Sequence, residues 1–206
     1  MSTTDATVFL LDDEPGMLKA LTRLLQAEGF AVQAFTSAKA LLESYRPQAL
    51  SCLVLDVAMP ELNGLDFQKR LAQSGVMMPI VFLTGHGDIP MSVQAIKAGA
   101  VDFLTKPVKD ADLLRAVRAA LQHAAEQRDL ISEITVLRQR YARLTPRERE
   151  VMSHIVAGQL NKHIAADLGI GEHTIKIHRA RTMEKMQVDS LADLVRAAER
   201  LKLGNT

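Results

Sequence analysis

The chain has one cysteine, no apolar stretch approaching the length of a membrane span, no large excess of charge of either sign, and no cluster of His and Cys at metal-ligand spacing. Each absence removes a class of protein. A single thiol closes no internal disulfide, and Cys52 stands inside the apolar run CLVLD, where it acts as a small buried hydrophobe and not as a redox group. The opening MSTTDATVFLLDDE has no cationic lead, and its apolar part is far shorter than the roughly 18 residues a span requires. A soluble, cytoplasmic protein without membrane contact is expected. There is no internal repeat and no low-complexity tract. The 206 residues suit one large domain or two small ones, and the charge favours two: residues 1–121 hold 13 acids against 11 bases, net −2, and residues 122–206 hold 11 against 14, net +3. The basic second half hints at a polyanionic partner, although ordinary surface variation gives the same difference.

What is present is a set of hydrophobic runs that end in chemistry. TVFLLD stops at Asp12 and Asp13, CLVLD at Asp56, PIVFLT at Thr84 and VDFLTK at Lys106. Strand-like runs at 7–12, 30–36, 52–57, 79–84 and 101–106 alternate with helical patterns near 15–28, 37–46, 64–74, 90–98 and 108–122. Short runs rich in Val, Leu, Ile and Phe with little alternation are how parallel strands buried on both faces read. The fold predicted is α/β, a doubly wound, flavodoxin-like five-stranded parallel sheet covered by helices. The carboxyl ends of parallel strands share one edge, where open α/β folds keep their ligand sites, so the three carboxylates, the hydroxyl and the ammonium are expected to converge.

From Leu121 the strands cease. Leu130, Ile134, Leu137, Tyr141 and Leu144 recur at spacings of 4, 3, 4 and 3, a short heptad seam that reads either as a coiled-coil stalk or as a strip lying on a neighbouring domain. Thr145-Pro146-Arg147-Glu148 reads as a helix cap, a first-turn Pro and a Glu that reaches back. Helices near 146–157, 161–168 and 172–186, and one starting at Ser190, make a small all-α four-helix domain. The organisation expected is 1–122, a helical linker 123–143, and 144–206.

Two adjacent carboxylates and a third across a cleft repel one another, and a divalent cation relieves the repulsion. All-oxygen donors suit Mg²⁺, whereas zinc calls for His or Cys. Asp56 can then stay ionised and attack phosphorus while Lys106 and the Thr84 hydroxyl meet the transferred charge. The plain alternative, acids that merely cap the following helices, accounts for one Asp better than for all five residues at strand ends.

Through Asp12-Asp13, LDVAMP around Asp56, LTGHGD from Leu83 and DFLTKP with Lys106-Pro107, residues 7 to about 122 resemble the receiver domain of two-component response regulators. The resemblance implies phosphotransfer from a sensor histidine kinase to Asp56. It implies Mg²⁺ held by the pocket of Asp12, Asp13 and Asp56 with the Ala58 backbone carbonyl, and a cis bond before Pro107. It also assigns Thr84 and Phe103 to a conformational switch, although Phe103 on its own reads equally as core. Ala58 and His86 stand where the family varies and influence how long the phosphate survives.

NKHIAADLG, a break at Ile170-Gly171 and EHTIKIHRARTMEKM form a helix-turn-helix pattern. On the second helix, His173, Lys176, Ile177, Ala180 and Glu184 share an outward side, flanked by Arg179 and Arg181. Lys176 is suited to a guanine edge and Ile177 to a thymine methyl, and small Ala180 permits close approach. Lys162, Thr174, Arg179 and Arg181 are suited to phosphates. The competing reading is a solvated cationic face. Residues 144 to about 203 are similar to the DNA-binding domain of the LuxR, NarL and FixJ class, which implies a recognition helix within 174–186 and a final helix that pairs with its twin on a palindromic site. Two positions depart from that pattern: Gly171 replaces a capping Ser, and Thr182 replaces an apolar residue, so that Met183 is expected to repack there. His178 is read as structural.

The chain thus reads as a phosphorylation-dependent, dimerising transcription regulator that is not a turnover enzyme. Its expected partners are a sensor histidine kinase, double-stranded DNA and RNA polymerase. The rivals are a Mg²⁺-dependent hydrolase with an Asp nucleophile and a signalling adaptor.

Overall fold

The computed structural model describes residues 6–46, 50–60, 62–85 and 89–203; His86, within the LTGHGD motif, lies outside them. In chain order the elements are β1 (Ala6–Leu11), α1 (Pro15–Ala27), β2 (Ala31–Phe35), α2 (Ala38–Ser44), β3 (Leu50–Asp56), the short pair β4 (Ala58–Met59) and β5 (Leu62–Asn63), α3 (Gly64–Gln73), β6 (Ile80–Thr84), α4 (Ile89–Lys97), β7 (Asp102–Thr105), α5 (Asp110–Ala142), α6 (Pro146–Val156), α7 (Asn161–Leu168), α8 (Glu172–Met186) and α9 (Leu191–Arg200). They form two compact units that divide after Arg128.

The first unit holds a parallel sheet in the order β2-β1-β3-β6-β7. Side chains alternate across it with the strand period of two. Val8, Leu10, Cys52, Val54, Val81 and Leu83 meet Leu18, Leu21 and Leu25 of α1 and Leu113, Ala116 and Val117 of α5. On the other face Phe9, Leu11, Leu53, Leu55, Ile80 and Phe82 meet Leu41 of α2, Leu65, Phe67 and Leu71 of α3, and Ala95 of α4. Burial on both faces holds for the three inner strands. β2 and β7 form the sheet edges, and their side chains are exposed or half-buried. Cys52 is fully buried, and burial pushes its thiol up to about 12, which suppresses the reactive thiolate.

Register brings the motif residues together. Leu11 pairs with Leu55, Asp56 with Leu83 and Thr84 with Thr105, so Asp12, Asp56, Thr84 and Lys106 all fall within about one residue of the same edge. The helix after Asp56 starts close to it: Asn63 caps α3 by accepting from the Leu65 N–H at 2.9 Å, and Gly64 follows directly. A Cβ on Gly64 would stand 2.8 Å from the Asp56 carbonyl oxygen, 3.0 Å from Val57 Cα and 3.2 Å from the Phe82 ring. Two of those neighbours are backbone and cannot give way cheaply.

α5 is one helix of 33 residues, which runs through both the helical pattern near 108–122 and the helical linker expected at 123–143. No Gly or Pro interrupts residues 110–142, so no backbone signal ends the helix at 122. Of the heptad seam, Leu137 and Leu144 are buried in the core of the second unit, with Tyr141 packed against it, while Leu130 is half exposed. That core is completed by Val151, Met152, Ile155, Ile164, Ile175, Met186 and Leu194. Among the described residues no helix is long and apolar enough to cross a membrane.

Gly64→Ala is expected to destabilise the first unit by about 1–3 kcal/mol through overpacking. Urea unfolding of the full chain followed by circular dichroism measures this, and an unchanged midpoint would contradict the close approach.

Candidate functional site

At the carboxyl edge of the sheet, Asp12 and Asp56 are buried and the side chain of Lys106 reaches between them. Lys106 Nζ donates to Asp12 Oδ2 at 2.8 Å and to Asp56 Oδ2 at 2.9 Å. The remaining oxygens are also held: Asp12 Oδ1 accepts from the Glu14 N–H at 2.8 Å, and Asp56 Oδ1 accepts from the Ala58 N–H at 3.2 Å. Burial pulls the Lys106 ammonium towards the neutral form, but the hydrogen bonds and charges of Asp12 and Asp56 outweigh it and hold the group above the ordinary lysine range. Lys106 therefore keeps its charge throughout the neutral range.

Asp13 completes the acid group from the exposed side. One carboxylate oxygen from each of Asp12, Asp13 and Asp56 lies within 4.8 Å of the others. This all-oxygen set, open to water on the Asp13 side, fits a hard divalent cation such as Mg²⁺. Thr84 is buried, and its carbonyl accepts from the Lys106 N–H at 2.7 Å. The Lys106–Pro107 peptide bond is cis. Phe103, half-buried, has its ring 6.2 Å from that of Phe82. Apart from His86, which lies outside the described residues, the receiver residues singled out in the sequence thus lie at or beside one edge. Glu14 was missed: its Oε1 is 3.9 Å from Lys106 Nζ, and the signal was the third acid of Asp12-Asp13-Glu14.

In the second unit, α7 ends at Gly169 in the left-handed conformation (φ 65°) and Gly171 opens α8 from extended backbone, the tight turn a helix-turn-helix needs. Ile164, Ile175 and Met186 are fully buried between the helices. Thr174, Lys176, Ala180 and Arg181 are exposed on α8, Ile177 is 39% exposed, and Lys162 is exposed near the start of α7. Arg179 differs from its flanking neighbour: it is half-buried and donates to Asn161 Oδ1 at 3.4 Å, tying α8 to the first turn of α7. Lys176 pairs with Glu172 one turn earlier at 3.6 Å, a surface contact worth a few tenths of a kcal/mol by itself.

Thr182 corrects an expectation. It is itself fully buried, with its hydroxyl 3.5 Å from the Glu148 carbonyl oxygen, and Met183 packs beside it without taking its place. A buried hydroxyl is tolerated because it faces an acceptor. Glu148 is the hub of this contact. It closes the capping box with Thr145 and accepts from Lys185 Nζ at 2.6 Å, joining the start of α6 to the end of α8. His178 has its Nδ1 buried without a partner among the described residues, and it belongs to no metal-ligating group found there.

Comparison with known proteins agrees with this geometry. Residues 8–118 match the family model "Response regulator receiver domain" and residues 142–198 match "Bacterial regulatory proteins, luxR family". The response regulator protein TodT of Pseudomonas putida is 46% identical over 202 residues, 98% of this chain and 89% of TodT. The transcriptional regulatory protein FixJ of Azorhizobium caulinodans is 44% identical over 194 residues, 93% of this chain and 90% of FixJ. Among solved structures, the response regulator StyR is similar with a TM-score of 0.82 and 43% identity, covering 95% of this chain and 99% of StyR. Full-length FixJ from B. japonicum has a TM-score of 0.58 and 38% identity, covering 98% and 100%. Fold and matches together define a receiver domain followed by a LuxR-type helix-turn-helix domain. The chain belongs to the NarL/FixJ family of two-component response regulators, which regulate transcription.

Burial raises the affinity of Glu148 for its proton, but hydrogen bonds from Lys185 and from the Thr145 backbone and side chain overcome this and hold the carboxyl below its ordinary value of 4.5. A depressed folded value means stability that is present above about pH 4.5 and is lost as pH falls through the folded value. Glu148→Gln is expected to flatten this acid limb and to lower the melting temperature at neutral pH. Melting curves between neutral pH and about pH 3 check it, and an unaltered acid limb would count against the hub.

Proposed function

We propose that Asp56 is the phosphoacceptor of this regulator and that its modification controls DNA binding by residues of α7 and α8. The observation that carries the reading is the half-buried Lys106 ammonium bridging the buried Asp12 and Asp56 at the strand ends. Asp56 is oriented from two sides, by the Ala58 N–H on one oxygen and by Lys106 on the other. An Asp56 oxygen forms the bond to phosphorus as the bond from phosphorus to the donor's histidine nitrogen breaks, and that nitrogen leaves with the electron pair. Asp12, Asp13 and Asp56 with the Ala58 carbonyl would hold magnesium, which would supply positive charge to offset the phosphoryl oxygens.

Lys106, held charged and already 2.9 Å from Asp56 Oδ2, follows the new negative charge onto the phosphoryl group. Thr84, one residue past the strand partner of Asp56, contributes its hydroxyl to the same dianion. Phe103, on β7 three residues before Lys106, and Pro107, next to it, carry the change towards α4. The donor is a sensor histidine kinase, and slow hydrolysis of the aspartyl phosphate returns the protein to rest, so the chain is not a turnover enzyme. The working partition is a receiver at 1–122, a helical linker at 123–143 and a DNA-binding domain at 144–206, acting in the cytoplasm. Phosphorylation shifts an existing equilibrium towards a homodimer formed through a surface within residues 90–121. Dimerisation strengthens binding to a two-fold site because the second half-site is met at high effective concentration.

On the DNA side, Lys176 and Ile177 read base edges with Ala180 leaving room, and Lys162, Thr174 and Arg181 contact phosphates. Arg179 combines a phosphate contact with its bond to Asn161. RNA polymerase is the further partner of a regulator bound at a promoter.

Asp56→Asn is expected to abolish covalent labelling by a small phosphodonor in Mg²⁺, as read by intact-mass spectrometry; persistent labelling would remove Asp56 from this role. Lys162→Ala should weaken binding to all duplexes alike and reduce the salt slope of log K by about 1. Ile177→Ala should instead relax preference at one base pair. Fluorescence-anisotropy titrations across a salt series separate the two.

A further inference from the structure

Glu14 has no part in the reading above, yet it stands at the mouth of the pocket. It precedes α1 at the N-cap position, where its side chain makes no capping hydrogen bond. Its backbone is fixed instead, through the N–H held by Asp12 Oδ1 at 2.8 Å. The side chain is directed at the functional lysine, with Oε1 3.9 Å from Lys106 Nζ. Exposure grades outward: side chains are 3% exposed at Asp12, 5% at Asp56, 12% at Lys106 and 65% at Glu14. A carboxylate therefore lies on the solvent side of the one ammonium that is to receive the phosphoryl charge.

We infer that Glu14 is a specificity-determining residue that selects phosphodonors by charge, holding back small free dianions relative to donors of lower net negative charge. The inference rests on Asp56 being the acceptor. Its physical basis is long-range: a carboxylate about 7 Å from an incoming dianion, across a water-filled mouth at low salt, slows capture by a factor of about two to five, and by roughly the square root of that for a monoanion. Glu14 also draws on the Lys106 ammonium, which the donor needs undivided. Neither effect requires Glu14 to touch the reacting atoms.

Two donors separate charge from chemistry. Acetyl phosphate is a dianion near neutral pH; the Asp56 oxygen–phosphorus bond forms, the phosphorus–oxygen bond to the acetyl group breaks, and acetate leaves with the electron pair. Phosphoramidate is a zwitterion of single net negative charge; the same bond forms, the phosphorus–nitrogen bond breaks, and the already protonated nitrogen leaves as ammonia.

The experiment measures initial rates of labelling of the full chain in Mg²⁺ with each donor, for the native protein, Glu14→Gln and Asp56→Asn, from low salt to about 1 M, where screening extends only about 3 Å. Glu14→Gln should accelerate acetyl phosphate about two- to fivefold and phosphoramidate by less than about twofold, the gap closing as salt rises. Its melting temperature should stay within about 2 °C of the native value, as for an exposed surface change. Equal acceleration of both donors, no acceleration, or a gap that persists at high salt would overturn the inference while leaving Asp56 in place. Labelling of Asp56→Asn would instead overturn the acceptor assignment on which it rests.

Discussion

One half-buried ammonium between two buried carboxylates organises the first unit. Lys106 is at home there only because Asp12 and Asp56 meet it at hydrogen-bond distance, and the two acids tolerate burial only because the ammonium and the Glu14 and Ala58 amides satisfy their oxygens. The arrangement depends in turn on the parallel register that levels the ends of β1, β3, β6 and β7. The chemistry of the site and the sheet that carries it are thus a single constraint. A slip of one residue in any of these strands would turn the terminal side chain to the opposite face and leave charge buried without a partner.

Much of this was legible in the sequence because parallel strands carry two signals at once. Their interiors are continuous apolar runs, and their ends are where polar residues reappear, so the runs ending at Asp12, Asp56, Thr84 and Lys106 marked both the fold and the edge at which to look. The helix-turn-helix was legible for a similar reason: the turn demands Gly169 in a left-handed conformation, and the apolar seam of Ile164 and Ile175 has helical spacing.

What escaped the sequence depends on distance through space. The β2 run resembles the inner strands, and only the strand order shows that it is an edge. Gly64 could be read as half of a turn, but not as the residue whose missing Cβ lets α3 start against the Asp56 carbonyl. Thr182 looked like a defect in an apolar pattern until Glu148, 34 positions away, supplied its acceptor. The helical pattern to 122 and the helical linker beyond it were both legible, but helical propensity has no signal for the place where one core stops and another begins. Leu113 and Leu137 sit on the same helix and belong to different cores.

The state of Cys52 has a practical side. The only thiol of the chain lies at full burial between β1 and β6, with its ionisation pushed far above neutrality. Such a thiol is expected to be silent towards maleimides and disulfide reagents under native conditions. A cysteine introduced on the surface of α4 or α8 would therefore take up a spectroscopic label alone, and paired labels could follow the regulator through its cycle without first deleting a native residue.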